Sequence, residues 1–309
     1  MQYIFLPPEQ FEESLKERQK EGQDGRPGRL RIEGGDHQHL AKVLRARVGD
    51  KIVALDGRGN AYRATLVTID RHATLAEIEA EIPMPPEPPI HLTVAQALGK
   101  GDKFEEVVQH GTEAGASAFL PIHAERCVVD LPATRVPDRI SRWQQIAKGA
   151  AEQSRRALVP TVEAPIRASA LFALQPAQTL LLHPVASAIP LARILGSYDI
   201  LPKHNIDGDA QENSDNGVDA RLTSKSAPHP IPHLILAIGP EGGWSQSEVS
   251  QAEKANIPCV SLGPRVLRTE TAALVAISQI LYHFEAYLLK PIFENEPENG
   301  SKNCFNIYF

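Results

Sequence analysis

The residues best suited to chemistry lie in two turns near the C-terminal end of the chain. Gly239-Pro240-Glu241-Gly242-Gly243 directly follows an apolar run that ends at Ile238. A glycine-rich turn at the carboxyl end of a parallel strand is where α/β proteins bind ligands, because glycine lets backbone groups come close to the ligand. The turn is not a dinucleotide fingerprint, since GxGxxG is absent, and it lacks the GK[ST] of a P-loop. Gly99-Lys100-Gly101-Asp102-Lys103 also follows a strand-like run and fails the P-loop test. The second turn is Leu262-Gly263-Pro264-Arg265-Val266-Leu267-Arg268-Thr269-Glu270-Thr271-Ala272. Here Thr269 reads as a helix N-cap, and Glu270 suits the positive helix end. Arg265 and Arg268 read as surface cations if taken singly, but two arginines held at one turn beside an apolar strand strain that reading.

The elements that must position these turns divide into two regions. Up to about residue 83 the pattern is short β segments: 29–32, 51–55, 61–69 and 74–82, with a short helix over 36–45 capped by Asp36. Asp56-Gly57-Arg58-Gly59-Asn60 reads as a turn. Pro83-Met84-Pro85-Pro86-Glu87-Pro88-Pro89 is an extended linker that neither a helix nor a central strand tolerates. From residue 90 strands and helices alternate: strands over 91–98, 119–122, 179–182, 233–238 and 258–262, helices over 102–113 and 138–156. Another helix begins at Ser245, which has the capping-box spacing to Glu248. The last runs from Thr269 to about Tyr287, with Leu274, Ile277, Ile280 and Leu281 on a stripe that serves either core or interface. Such alternation implies an α/β fold with a mostly parallel sheet covered on both faces. Residues 203–232 read as a flexible insertion and 290–309 as a flexible tail. His229 and His233 flank Pro230-Ile231-Pro232 and read as loop residues, so no metal site is expected.

Composition sets the outer bounds. The chain has 309 residues, 42% hydrophobic and 23% charged, which suits a soluble protein of two domains. It has no run of about eighteen apolar residues, as a membrane span needs. The N-terminus lacks the charged and apolar regions of a signal peptide. Three widely spaced cysteines, Cys127, Cys259 and Cys304, fit neither a disulfide framework nor a zinc site and suggest the cytoplasm. The net charge of −6 argues mildly against a nucleic-acid partner. Its distribution argues the other way. Arg26, Arg29, Arg31, Lys42, Arg45, Arg47, Lys51, Arg58 and Arg63 face only Glu33, Asp36, Asp50 and Asp56 in the same stretch. A solvated face and a phosphate-binding surface both fit that pattern.

Taken together, the motifs resemble the SPOUT methyltransferases and, within them, the ribosomal RNA small subunit methyltransferase E family. The resemblance runs through His39-Leu40-Ala41-Lys42-Val43-Leu44-Arg45, Glu113-Ala114-Gly115, Glu125-Arg126-Cys127, Glu152-Gln153-Ser154-Arg155-Arg156 and Leu182-His183-Pro184. It ends in the two turns described first, of which LGPRVLRTETA is the most specific. His110 and Ala114 depart from the family pattern, which has Lys and Leu there.

The resemblance implies a PUA-like β-barrel over 1–83 for RNA, an α/β trefoil-knot methyltransferase domain over 90–289, and a homodimer. It implies S-adenosylmethionine as donor, 16S ribosomal RNA of the small subunit as partner, and N3 of a uridine as the methylated atom. Leu182-His183-Pro184, Ile238 to Gly242, Leu262, Gly263, Arg265, Val266, Leu267, Thr271 and Ala272 are the expected donor pocket. Arg29, Arg45 and Arg47 are the expected RNA contacts. Uridine N3 carries a proton, so a base or an anion-stabilising cation is needed. Glu113, Glu152 and Glu241 are candidate bases, and Arg156, Arg265 and Arg268 candidate cations, with surface ion pairing the plain alternative for Glu113 and Glu152. Three alternatives remain: a related enzyme with another ribosomal or transfer RNA target, a non-catalytic RNA-binding protein, and a nucleotide-binding metabolic enzyme.

Overall fold

The computed structural model describes residues 1–11, 28–129, 131–174, 178–185, 187–196 and 233–293. Expectations for 203–232 and for the tail beyond 293 fall outside it.

The first sheet contains β1 (Gln2–Phe5), β2 (Arg29–Glu33), β3 (Lys51–Leu55), β4 (Ala61–Ile69) and β5 (Ala73–Ile82), in the order β1-β3-β4-β5-β2. All pairings are antiparallel except β1 on β3. Alternating residues such as Leu30, Ile32, Ile52, Ala54, Ala64 and Leu66 form its core. The turn between β3 and β4 is built by Asp56, whose carboxylate accepts from the amides of Arg58 and Asn60 at 2.8 and 3.0 Å. Gly57 and Gly59 take the positive φ it requires, 67° and 105°.

Asp36 does not cap its helix. Helix α1 (Gly34–Gln38) has its N-cap position three residues earlier, at Glu33, with no side-chain cap, and continues as a wide π turn over His39–Val43. The Asp36 carboxylate instead accepts from Lys148 Nζ at 2.6 Å, so a long-range ion pair displaced the local cap. Strand β1 was also missed, because four residues before two prolines give too short a pattern to read.

The second sheet is entirely parallel. It contains β6 (His91–Ala97), β7 (Ala118–His123), β8 (Thr161–Val162), β9 (Ile166–Arg167), β10 (Thr179–Leu182), β11 (Ile189–Pro190), β12 (His233–Ile238) and β13 (Cys259–Ser261). The strand order is β11-β13-β10-β12-β6-β7-β8, with β9 beside β7. Helices α2 (Lys103–Glu113), α3 (Val136–Gln153), α5 (Leu191–Leu195) and α7 (Thr269–Phe293) enclose one core cluster, which includes Val94, Phe104, Phe119, Leu236 and Ile277. Helices α4 (Ala168–Leu174) and α6 (Gln246–Lys254) enclose another, around Ile122, Leu171, Ile235, Trp244 and Val249. Central strands buried on both faces explain why β6 and β12 read as continuous apolar runs.

Two helix ends differ from the sequence reading. Helix α3 starts at Val136 because Pro137 is tolerated in a first turn, and it stops at Gln153 because Arg155 takes a left-handed φ of 59°. Helix α7 continues past Tyr287 to Phe293 through the strong helix formers Leu288, Leu289 and Lys290. On its stripe Ile277, Ile280 and Leu281 are core, whereas Leu274 is 38% exposed.

The two sheets meet through α3. Ala151 packs with Phe5, Val53, Leu55 and Ala61, and Glu152 Oε1 accepts from the Phe5 amide at 2.9 Å. The proline-rich linker is held by Arg156, which donates to Glu87 Oε2 from Nε and Nη2, and from Nη1 to the Thr112 and Ala116 carbonyls at 2.9 and 2.7 Å. Removing that guanidinium leaves one carboxylate and two carbonyls short of donors. We predict that Arg156→Met lowers unfolding stability by about 2–3 kcal/mol while donor binding by the folded protein is unchanged. Urea unfolding beside donor titration checks this; wild-type stability with lost donor binding would move Arg156 to the site.

Candidate functional site

Parallel strands end together, so the turns after β10, β12 and β13 converge on one edge of the second sheet. Between them lies a cavity of about 440 Å³. Its walls are Leu182 to Pro184, Ile238 to Glu241 with Gly243 and Trp244, and Ser261 to Gly263 with Arg265 to Thr269. Ala272 from α7 and Lys103 from α2 complete it. A mostly apolar cleft of this size with a few polar groups is an ordinary small-molecule site.

The turn Gly239–Gly243 is fastened from several sides. The Gly239 carbonyl accepts from Thr269 Oγ1 at 2.9 Å, and Thr269 Oγ1 in turn accepts from Gln96 Nε2 at 2.8 Å. Trp244 Nε1 donates to the Leu182 carbonyl at 3.0 Å. The indole lies so close that a Cβ on Gly239 would sit 3.1 Å from Nε1. The Gly243 amide closes the turn onto Pro240 O at 2.8 Å, and Arg126 donates to Gly242 O at 2.9 Å. The helix after the turn carries the expected capping box, and Glu248 also accepts from the Glu125 amide at 2.8 Å.

Charge is arranged at the rim. Lys103 Nζ donates to Glu241 Oε1 at 2.8 Å and stands 3.8 Å from Glu270 Oε2. Partial burial pushes the Glu241 carboxyl up, but the Lys103 hydrogen bond and nearby amides more than offset it, so its pKa lies below the ordinary value. The same pair raises the Lys103 ammonium. His183 is driven below the usual imidazole range by burial and then by Arg126, so it is neutral at pH 7. Its Nδ1 is a buried atom with no hydrogen-bond partner among the described residues.

Most of the residues read from sequence meet here. Gly242 does not line the cavity, since it faces Arg126, and Thr271 lies along a smaller depression beside α2. Glu113, Glu152 and Arg156 do not line it either. Glu113 is paired with His110 at 3.3 Å, and the other two hold the Phe5 amide and the linker. Sequence reasoning missed Lys103, Ser261 and Trp244, and it took Thr269 for a cap. The signal for Lys103 was present: Gly99-Lys100-Gly101-Asp102-Lys103 is a glycine turn at a strand end, set aside because it fits no phosphate loop. Nothing marked Trp244 or Ser261.

On the first sheet Arg29 is engaged by Glu77 Oε1 at 2.8 and 3.1 Å. Lys51 and Arg63 share Glu79, whose pKa is pulled down to about 2 by the Thr65 hydroxyl first and then by Lys51 and Arg63. Arg45 and Arg47 are exposed and their side chains form no ion pair among the described residues, although the Arg47 amide donates to Asp50 Oδ2 at 2.7 Å. No group of three metal-ligating side chains occurs among the described residues, and no helix among them is long and apolar enough to cross a membrane.

Comparison with known proteins agrees with this arrangement. Residues 86–281 match the RNA methyltransferase domain family, and residues 32–79 match the RNA methyltransferase PUA domain. Ribosomal RNA small subunit methyltransferase E of Mycobacterium bovis is 32% identical over 250 residues, 81% of this chain and 84% of that protein. Its counterpart in Bacillus subtilis is 31% identical over 257 residues, 82% of this chain and 90% of that protein. Among solved structures, ribosomal RNA small subunit methyltransferase E from Neisseria gonorrhoeae, bound to S-adenosyl methionine, superposes with a TM-score of 0.67 at 29% identity, covering 91% of this chain and 96% of that one. Fold, strand-end cleft and both domain matches define the class: an RNA methyltransferase with a PUA domain. Within that class, the chain belongs to the ribosomal RNA small subunit methyltransferase E family.

Proposed function

We propose that this chain transfers a methyl group from S-adenosylmethionine to N3 of a uridine in 16S ribosomal RNA, in the cytoplasm. The observation that carries the reading is the cavity enclosed by the turns after β10, β12 and β13. Its residues fit the donor. Gly239 leaves backbone groups open to a ligand, the orphaned His183 Nδ1 offers a polar contact, and about 440 Å³ accommodates a nucleoside with a short side chain. Leu182 to Pro184, the Gly239–Gly243 turn and Leu262 to Leu267 would hold it. Bound there, the donor supplies a methyl already made electrophilic by its sulfonium.

The chain's own residues then have two tasks. The turns must fix the donor in line with the target nitrogen and exclude water. A cation must also favour the imide anion, because uridine N3 is a poor nucleophile while protonated. Arg268, exposed at the mouth of the cavity, suits that role. Glu241 shapes the pocket rather than taking the proton: its carboxylate is held by Lys103 and its pKa is depressed, which makes it a weak base. Glu113, Glu152 and Arg156 have no part in this reading, since none lines the cavity of its own chain.

Three further elements belong to it. Residues 1–83 form the RNA-binding domain and 90–289 the methyltransferase domain, the proline-rich linker being the boundary. The C-terminal domain carries a trefoil knot, a reading supported by the return of the chain from β13, outside β10, to start α7 against Gln96 and Gly239. The protein is a homodimer, its partner covering a depression of about 600 Å³ that adjoins the donor cavity at Ser261 to Gly263. Tyr282, 75% exposed, and Leu274 stand on the helix beside it. A fully active monomer in sedimentation would overturn the dimer.

With Arg29 held by Glu77, the RNA contacts fall to Arg45 and Arg47. Neutralising both should flatten the slope of log affinity against log salt by about 0.7–0.9 per lost phosphate contact. An unchanged slope would make them ordinary surface. The reaction itself is tested by single-turnover methyl transfer to small-subunit RNA, with other RNAs as controls. Arg268→Ala should lower the rate about 10²–10³-fold with donor affinity nearly unchanged. A folded variant of near-normal rate rejects the catalytic role, and methylation of another RNA or another uridine atom rejects the assigned target.

A further inference from the structure

Lys103, the first residue of α2, is the one residue of the cavity wall contributed by the segment after β6. Its side chain is 30% exposed and reaches two carboxylates from different turns, Glu241 after β12 and Glu270 after β13. Glu270 Oε2 is buried without a hydrogen-bond partner, with the Lys103 ammonium 3.8 Å away. Gly99 lets the contact form, since a Cβ there would sit 2.9 Å from Glu241 Oε1. Without the ammonium, two carboxylates would face each other at a partly buried rim, and their repulsion would push the turns apart.

We propose that Lys103 is a positioning residue of the donor pocket, acting through Glu241 and Glu270 to lock the turns after β12 and β13 in their binding geometry. The inference rests on the reading of this cavity as the donor site. Lys103 does not touch the reacting atoms in this account. Its contribution is preorganisation, so that donor binding does not have to order the rim. It also keeps Glu241 ionised in a setting whose burial favours the protonated form. The charged and titratable groups around Glu241 are Lys103, Arg268 and Glu270, with Arg126 on the adjoining Gly242 carbonyl and neutral His183 across the cavity.

The test is calorimetric titration of the full chain with S-adenosylhomocysteine as a function of pH. Lys103→Met should weaken binding roughly tenfold, the scale of losing one charge-assisted hydrogen bond. Lys103→Arg should restore most of it. The double variant Lys103→Met with Glu241→Gln should bind no more weakly than the poorer single variant, because both remove the same interaction. The pH profile separates this from simple destabilisation. As pH falls through the ordinary carboxylate range, about pH 6 to 4, wild-type affinity should stay flat. Affinity of Lys103→Met should recover there, as Glu241 takes up a proton and its repulsion with Glu270 is relieved. Gly99→Ala, which crowds the carboxylate from the backbone side, should weaken binding as Lys103→Met does. Additive losses, or parallel pH profiles for wild type and Lys103→Met, overturn the inference alone. Failure of the wild-type protein to bind S-adenosylhomocysteine overturns the donor site and the inference with it.

Discussion

A buried relay of two hydrogen bonds joins residues that lie 173 and 30 positions apart in sequence. Gln96 lies near the end of β6, Thr269 begins α7, and Gly239 directly follows β12; amide, hydroxyl and carbonyl meet in that order at 2.8 and 2.9 Å. Gln96 and Thr269 are 1% and 8% exposed, so water cannot take the place of either partner. Leaving such a group unmatched costs about 1–3 kcal/mol, which makes the relay a constraint and not an ornament. It requires the chain leaving β13 to come back across the ends of β10 and β12 before α7 can start. That return path encloses the cavity and places Arg265 to Arg268 along its mouth. Trp244 on Leu182 O and Arg126 on Gly242 O then fix the turn from the opposite side.

Cations are sorted by the same geometry. Arg156 is spent on the linker and two carbonyls, Arg29 and Arg63 are matched by Glu77 and Glu79, and Lys148 reaches Asp36. Those pairs hold the two sheets and their strands in register, with the partly buried ones contributing more than the exposed ones. Exposed cations outside these pairs include Arg45 and Arg47 on the first sheet's side and Arg265 and Arg268 at the cleft. A net charge of −6 is therefore compatible with an anionic partner, because the acidic groups on these surfaces are largely engaged.

Much of this was legible in the residues. Strands β3 and β4 and the parallel strands β10 and β12 fall where alternation and apolar runs put them, and the Ser245–Glu248 capping box forms as its spacing requires. The two glycine turns, read as neighbours of a candidate site, do line one cavity. What sequence could not give were pairings decided by the fold. Asp36 had the pattern of a cap and found Lys148, 112 residues away. Glu152 and Arg156 had the types of a base and a cation, yet packing between the sheets claimed both. Lys103 was hidden because its partners come from turns more than a hundred residues downstream. Local chemistry was readable; long-range partner choice was not.

The central claim is that the cleft between the turns after β10, β12 and β13 holds the methyl donor. A crystal structure of the chain grown with S-adenosylhomocysteine tests it most directly. The account predicts the ligand between Gly239 and Leu262, in contact with Leu182 to Pro184 and with Arg268 at the open end. Ligand seated instead in the depression beside Tyr282, or absent from the cleft at saturating concentration, would contradict it.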